Sequence, residues 1–151
     1  MEMKKWIMTI VMVFCSSLMF AQNALFKKYE NVNGVSTIYI SKALLSMYPK
    51  LNAGDKDISK IASKLDHVQI LSCERPSLIP GVKAAALGCF KSGGYNNLMT
   101  INDDGNQTII YGKALGKGKN EFVLLSIEKS ELNIINVMGS ITLNDIKQIA
   151  R

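Results

Sequence analysis

The sequence predicts an α+β domain, with an antiparallel or mixed sheet of about five to six strands and helices packed mainly on one face. Two β-rich runs at residues 122–127 and 132–137 flank a short polar turn, which is typical of an antiparallel hairpin. The first run is almost wholly apolar, as in a strand covered on both faces. Helical patterns lie mainly early in the chain and a strand meander lies late, an order that favours the α+β class.

The C-terminal residues predict a helix that packs on this sheet. Thr142 is followed three residues later by Asp145, a variant of the capping box that begins a helix. Ile141, Ile146 and Ile149 would fold the helix back over the hairpin.

The first elements follow from local spacing. Leu25, Phe26 and Tyr29 are spaced like one helical turn, and residues 35–40 form a β-branched, alternating run that predicts the first strand. Ser41 can cap a short helix over residues 42–48, which Pro49 would end.

The middle of the chain predicts a second helix, a strand and a third helix. Asp57 would cap the second helix, whose apolar stripe is Ile58, Ile61, Ala62 and Leu65. Residues 68–73 then form a strand. Residues 82–90 are helix-prone and end at a Ser-Gly-Gly sequence.

The late meander depends on two turns. Residues 95–102 and 107–111 are β-prone, and the Asp-Gly pair between them is a strong hairpin signal. Residues 112–120 are rich in glycine and lysine and predict a second, looser connection.

Residues 1–22 resemble a secretory signal peptide, and residues 23–151 form the single domain. Lys4 and Lys5 precede a short apolar run, and the small residue Ala21 stands near its end. We therefore expect an exported protein. A membrane anchor is the alternative, although the run is short for a span. An acylated Cys15 is another, although bulky Phe14 precedes it.

The net charge limits the classes of partner, and the cysteine positions decide whether a disulfide is expected. Without residues 1–22 the net charge falls from +6 to +5, which suits an acidic protein or an anionic lipid surface but is too diffuse to indicate nucleic acid. Export would place Cys73 and Cys89 in an oxidising compartment. They are expected at opposite ends of their layer, beyond disulfide reach, and are predicted to be unpaired.

No residue pattern predicts a catalytic, metal or cofactor site. His67 beside Asp66 could act as a general base, with Cys73 as nucleophile. Along one strand, however, these residues would be roughly 20 Å apart and could not form a dyad. One histidine and two separated cysteines supply too few ligands for a zinc site.

Lys113, Lys117 and Lys119 are the candidate binding residues. They fall within seven positions of the glycine-rich connection and could present ammonium groups to an acidic partner or a lipid phosphate. The alternative is a solvated turn that protects the sheet edge from aggregation.

Several segments resemble the family called domain of unknown function 4252. They are FKKY at residues 26–29, VSTIYISKA at 35–43, ILSCE at 70–74, LMTINDDG at 98–105 and LNII at 132–135, followed by Gly139. The resemblance covers most of the chain after the leader and implies a small exported α+β domain of Gram-negative bacteria. It supplies no catalytic residues.

We therefore expect a non-enzymatic exported protein of the periplasm or outer envelope that acts through binding. A carrier of a small apolar ligand, held between sheet and helices, is the second hypothesis, and a hydrolase-like enzyme using His67 or Cys73 is the third. An apolar cavity would favour the carrier, and converging ionisable groups in a pocket would favour the enzyme.

Overall fold

The computed structural model describes residues 21–47, 50, 52–53 and 56–150. Residues 1–20 of the predicted signal peptide lie outside the described residues, and so does Pro49, the predicted end of the short helix over residues 42–48. Ala21 and Gln22 are described as the beginning of a helix.

The described residues form helices on a large sheet. The helices are α1 (Ala21–Tyr29), α2 (Lys42–Met47), α3 (Ile79–Ser92) and α4 (Leu143–Ala150). The strands are β1 (Val35–Ser41), β2 (Asn52–Ala53), β3 (Lys56–Asp57), β4 (Leu65–Cys73), β5 (Asn96–Asp103), β6 (Asn106–Gly116), β7 (Lys119–Ile127) and β8 (Leu132–Gly139). None of the helices in this part of the chain is long and apolar enough to cross a membrane.

Six strands form one antiparallel sheet in the order β1-β4-β8-β7-β6-β5, and β2 pairs separately with β3. The late meander β5–β8 joins the early strands because β8 pairs with β4. The α+β class and the predicted sheet are confirmed, and β1 and β5 form its two edges.

Helices cover both faces of this sheet rather than mainly one, which corrects the predicted placement. One core contains α1 and α3, through residues such as Phe26 and Phe90, and the other contains α2 and α4, through residues such as Leu45 and Ile146. The reason lies in β7, where Phe122 and Leu124 face one core and Val123 and Leu125 face the other. A strand that is apolar on both sides needs cover on both sides.

The helix predicted after Asp57 does not form. A turn and a short 3₁₀ segment, Ala62–Lys64, occupy this region, and Leu65 already belongs to β4, where it pairs with Gly139. Asp57 still caps the turn, since its carboxylate accepts a hydrogen bond from the Ser59 amide at 2.9 Å. The four residues of the predicted apolar stripe are buried, namely Ile58, Ile61, Ala62 and Leu65. Pairing of Leu65 in the sheet removes the last residue of the apolar stripe from the predicted helix.

The loose connection predicted over residues 112–120 is also wrong. β6 continues to Gly116 and β7 begins at Lys119, so that Lys117 and Gly118 alone form the turn. Their φ angles are 56° and 75°, as in the left-handed turns that suit hairpins. Lysine rarely takes this conformation. The Lys-Gly pair is therefore a weaker sequence signal for a tight turn than an Asn-Gly or Asp-Gly pair.

Other local predictions are confirmed. The Asp104–Gly105 turn joins β5 to β6 with φ angles of 52° and 82°. The Ser41 side chain accepts a hydrogen bond from the Leu44 amide at the beginning of α2. Cys73 and Cys89 are free thiols, as predicted, with Cys73 buried and Cys89 half-buried.

Candidate binding surface

An open cleft of about 570 Å³ lies between α1 and the edge strand β1; we call it the α1–β1 cleft. Its lining residues come from α1, β1 and β4: Ala24, Phe26, Lys27, Glu30, Thr37, Ile38, Tyr39 and Gln69. A volume of several hundred Å³ is typical of sites that bind a ligand or a short segment of a partner.

The connection between α1 and β1 positions the two walls. Leu25, Phe26 and Tyr29 bury one side of α1 in the core that it shares with α3. Gly34 reverses the chain with φ of 88°, and its carbonyl accepts a hydrogen bond from the Glu74 amide at 3.0 Å. This bond fixes the beginning of β1 beside the end of β4, so that β1 returns alongside α1.

The strand that forms one wall is unusually apolar for a sheet edge. Within the described residues β1 pairs with β4 on one side and with no strand on the other. Ile38 is 49% exposed and Tyr39 is 63% exposed, and β1 contains no charged residue. Backbone donors and acceptors on such an edge are available to another strand.

The opposite edge, β5, has a different composition. Its exposed positions include Asn96, Asn97, Thr100, Asn102 and Asp103, with Leu98 as the one large apolar side chain among those that are exposed. The charge of Asp103 and the irregular pairing between Asn97 and Met99 disfavour edge-to-edge association. The two edges of the sheet therefore differ in their capacity to bind.

The two residues considered for catalysis lie apart. The His67 ring stacks on the Tyr39 ring, with centroids 5.9 Å apart and an interplanar angle of 30°. Cys73 is fully buried at the other end of β4, with its Sγ 3.6 Å from the Arg75 carbonyl oxygen. His67 supports a wall of the cleft instead of facing a nucleophile. Across the described residues, no group of three or more His, Cys, Asp or Glu could hold a metal ion.

The three candidate lysines do not act as one surface. Lys113 donates a hydrogen bond to the Gly93 carbonyl at 2.9 Å, and its ammonium lies 5.5 Å from the centre of the Tyr95 ring. Lys119 donates to the Asp66 carboxylate, whereas Lys117 is exposed at the turn. Two of the three ammonium groups therefore bind to the protein's own atoms.

Asp66 of β4 forms hydrogen bonds with residues of β7 and α2. It accepts hydrogen bonds from Lys119 of β7 and from Lys42 of α2, the latter at 3.4 Å. The hydrogen bond from Lys119 lowers the pKa of the Asp66 carboxyl below its usual value, against the opposing effect of burial. Asp66 is thus an ionised anchor for the neighbouring helix and strand.

A polar network lies near the end of α3. Asn136 is fully buried, and its Nδ2 donates a hydrogen bond to Glu121 at 2.7 Å. Burial raises the pKa of Tyr95, and the Glu121 carboxylate raises it further through its charge and by accepting a hydrogen bond. Burial and the charge of Glu121 also raise the pKa of the Cys89 thiol. These shifts oppose the formation of a nucleophilic thiolate or phenolate, so the network has a structural role.

One feature of the sequence indicates an apolar strand edge at the cleft. Ile38, Tyr39 and Ile40 are consecutive, although a strand with one buried face needs an apolar side chain only at alternate positions. Ile40 is buried, and the other two remain exposed on opposite faces. Lys27 and Glu30 could not be assigned to the cleft because their position depends on how α1 packs.

Comparison with known protein families identifies a matching family model. A family model described as Domain of unknown function (DUF4252) matches residues 29–149. No curated protein and no solved structure matches the chain. The matched range extends from the last residue of α1 into α4, and therefore contains the whole of the large sheet.

Proposed function

This chain belongs to the family described as Domain of unknown function (DUF4252), and we propose that it is an exported, non-enzymatic binding module of the bacterial envelope. Its binding surface is the α1–β1 cleft, where the edge strand β1 recognises an extended segment of a partner. Strand addition at a sheet edge obtains affinity from backbone hydrogen bonds and specificity from alternate side chains.

One observation carries this proposal: exposed apolar side chains occur on an edge strand beside an open cleft. Ile38 and Tyr39 stand on opposite faces of β1, so an added strand would cover both. Natural sheets usually protect their edges with charged residues or proline, and β1 has neither. The unprotected edge is therefore better suited to binding than to solvent.

Export rests on the sequence. The basic residues Lys4 and Lys5, the short apolar run and Ala21 have the arrangement of a signal peptide. After removal of residues 1–22 the protein would reside in the periplasm or at the outer envelope. Its partners would then be envelope proteins, among them acidic ones, or anionic lipid surfaces.

A small apolar ligand is the second candidate occupant of the cleft. Ala24, Phe26 and Ile38 give the cleft an apolar lining, and its volume suits such a ligand. The cleft is open, however, and would leave one side of the ligand in water. An extended segment would occupy the cleft and would also form hydrogen bonds with the backbone of β1.

Affinity capture from envelope extract tests the binding surface. Ile38→Glu and Tyr39→Lys should each remove most captured partner, because they place charge on the edge that pairs. Leu98→Glu is the matched control, since Leu98 is 41% exposed on the opposite edge strand. Circular dichroism should show that all three variants fold.

Two further variants separate the alternatives. Lys117→Glu reverses the one candidate lysine that is exposed at its turn, and loss of capture in this variant alone would move the contact to the β6–β7 turn. The pair His67→Ala and Cys73→Ser removes the groups considered for catalysis. If function is lost in this folded pair while the cleft variants retain it, the binding proposal is wrong.

A further inference from the structure

We propose that the segment recognised by β1 is the β1 strand of a second copy of this chain. This inference rests on the proposed function and names the partner of the same surface. Two β1 edges related by a two-fold axis would pair antiparallel and join two six-stranded sheets. The site is then completed by the second copy.

The register of this pairing follows from the length of β1. The strand has seven residues, Val35–Ser41, and Ile38 is the central one. A two-fold axis through Ile38 pairs Val35 of one copy with Ser41 of the other and aligns the whole strand. Ile38 then faces its own symmetry mate, and its exposed apolar surface is covered by an identical side chain.

The two charges at the C-terminal end of α1 support a second copy as the occupant. Lys27 lies in the last turn of α1 and Glu30 follows the helix directly, and both residues line the cleft. Within the described residues, neither has an ion-pair partner. Because the cleft places them beside Thr37, Ile38 and Tyr39, an axis through Ile38 passes near both charges.

The same axis makes this pair of charges self-complementary. It brings the two α1 helices side by side and antiparallel, with Lys27 of each copy opposite Glu30 of the other. A uniformly acidic or uniformly basic peptide would leave one of these charges opposed by a like charge. An opposite pair at the end of one helix is matched by its own copy.

Cross-linking tests the register directly. Ile38→Cys in full-length protein recovered from the envelope of its expression host should form a covalent dimer under mild oxidation. Directly opposite residues of an antiparallel pair have Cα atoms about 4.5–5.5 Å apart, within disulfide reach. Leu98→Cys, on the opposite edge, is the matched control and should form no covalent dimer under the same conditions. Equal cross-linking of both variants would overturn the proposal.

Charge exchange tests the identity of the partner. Lys27→Glu and Glu30→Lys should each weaken the dimer about 2- to 30-fold, since each opposes like charges across two symmetric pairs. The double variant restores both pairs and should recover the wild-type dimer constant in sedimentation equilibrium. Failure of the double variant to recover would contradict a two-fold interface.

The outcomes also separate this inference from the proposed function. A wild-type protein that sediments as a monomer at every concentration overturns the second copy as the partner. If such a monomer still captures an envelope partner through Ile38 and Tyr39, the binding module stands with a different occupant. If the cleft variants retain capture as well, both proposals fail.

Discussion

Asp66 connects residues that are distant in the sequence. It lies where the pairing of β4 with β8 shifts register, between Leu65 and His67. Its carboxylate binds Lys119, which is 53 positions away, and Lys42, which is 24 positions away. The charge of Asp66 is therefore expected to contribute to the stability of the fold.

Asp66→Asn should lower the free energy of unfolding by about 0.5–1 kcal/mol at neutral pH, the range for partly exposed ion pairs. The folded-state pKa of Asp66 is below the ordinary value, so its contribution is present above about pH 4 and is lost as pH falls through the folded-state value. Urea unfolding at several pH values should show the variant and wild type converging in acid. The exposed Asp103→Asn is the control, and a pH-independent difference for Asp66→Asn would contradict this account.

At the residue scale, the sequence predicts which local element holds a side chain better than it predicts which distant residues that side chain contacts. Placing His67 and Cys73 on one strand was enough to exclude a catalytic dyad. The stacking of His67 on Tyr39 and the hydrogen bond of Lys119 to Asp66 could not be predicted, because they depend on which strands become neighbours. The three lysines are close in sequence, but strand pairing leaves Lys117 exposed and directs Lys113 and Lys119 to different partners.

Helix α4 begins at a capping box in which each residue bonds to the backbone of the other. The Thr142 amide donates to the Asp145 carboxylate at 2.9 Å, and the Asp145 amide donates to the Thr142 hydroxyl at 3.3 Å. The backbone hydrogen bond from Thr142 lowers the pKa of the Asp145 carboxyl. The cap orients Ile146 and Ile149 toward the sheet, where both are buried.

Thr142→Ala should destabilise the protein by about 1 kcal/mol, since it removes one acceptor at the beginning of α4. Asn144→Ala changes an exposed residue of the same first turn and should have a much smaller effect. Both can be measured by urea unfolding. Equal effects of the two variants would show that the cap is not the source of the stability.

Glycine at position 139 permits close contact between β8 and the chain before β4. A Cβ atom there would lie 2.8 Å from the Leu65 Cα and closer still to the Lys64 carbonyl oxygen, both of which are backbone atoms. At Gly112 the closest atom to an added Cβ is instead the end of the Leu98 side chain, which can move.

Gly139→Ala should therefore destabilise the fold by about 1–3 kcal/mol or more, as expected when atoms are forced into a packed site. Gly112→Ala should have a smaller effect, because a leucine side chain can change rotamer. Thermal unfolding of both variants provides the comparison. A larger loss for Gly112→Ala would contradict the role of the close backbone contact at Gly139.

Elements that depend on local chemistry were predictable. The Asp-Gly turn and the Thr142 cap both act within a few residues, and both formed as predicted. Residues 58–65 had a helical apolar pattern, but Leu65 pairs with Gly139, more than 70 positions later in the chain. Long-range strand pairing therefore prevailed over local periodicity.

At the scale of the whole molecule, the described residues form two cores because helices cover both faces of the sheet. The apolar β7 indicated cover on both faces, but the sequence did not indicate which helix crosses to which side. That choice depends on the connections: α1 and α3 lie over one face, and α2 and α4 over the other. The α1–β1 cleft results from this arrangement and could not be predicted from any single element.

The two described cysteines should be free in the native protein. They lie in different elements, Cys73 at the end of β4 and Cys89 within α3, and both are thiols in the structure. Labelling under denaturation without reductant should modify both. In the native protein Cys89 should react before Cys73, because Cys73 is fully buried. Protection that disappears only on reduction would contradict this assignment.

At the scale of the whole molecule, the cellular location of the protein depends on the processing of its N-terminus. We predict that residues 1–22 are absent from the mature protein, because Lys4, Lys5, the apolar run and Ala21 have the arrangement of a signal peptide. Cleavage after Ala21 would remove one residue of α1, and cleavage after Gln22 would remove two. Either product retains Leu25, Phe26 and Tyr29, which hold α1 in the core beside α3. The α1–β1 cleft should therefore persist after processing.

Intact-mass measurement of protein from its native envelope tests this prediction. The expected mass corresponds to a chain that begins at Gln22 or Asn23. Replacement of Lys4 and Lys5 by glutamate is the matched perturbation, since it removes the basic start without changing the cleavage region, and should leave more of the longer precursor. A mature mass that retains Met1 to Ala21 would contradict cleavage. Recovery of the protein with membranes after a high-salt wash would then favour the N-terminal anchor, because a charge-based surface attachment is screened by salt whereas an apolar anchor is not.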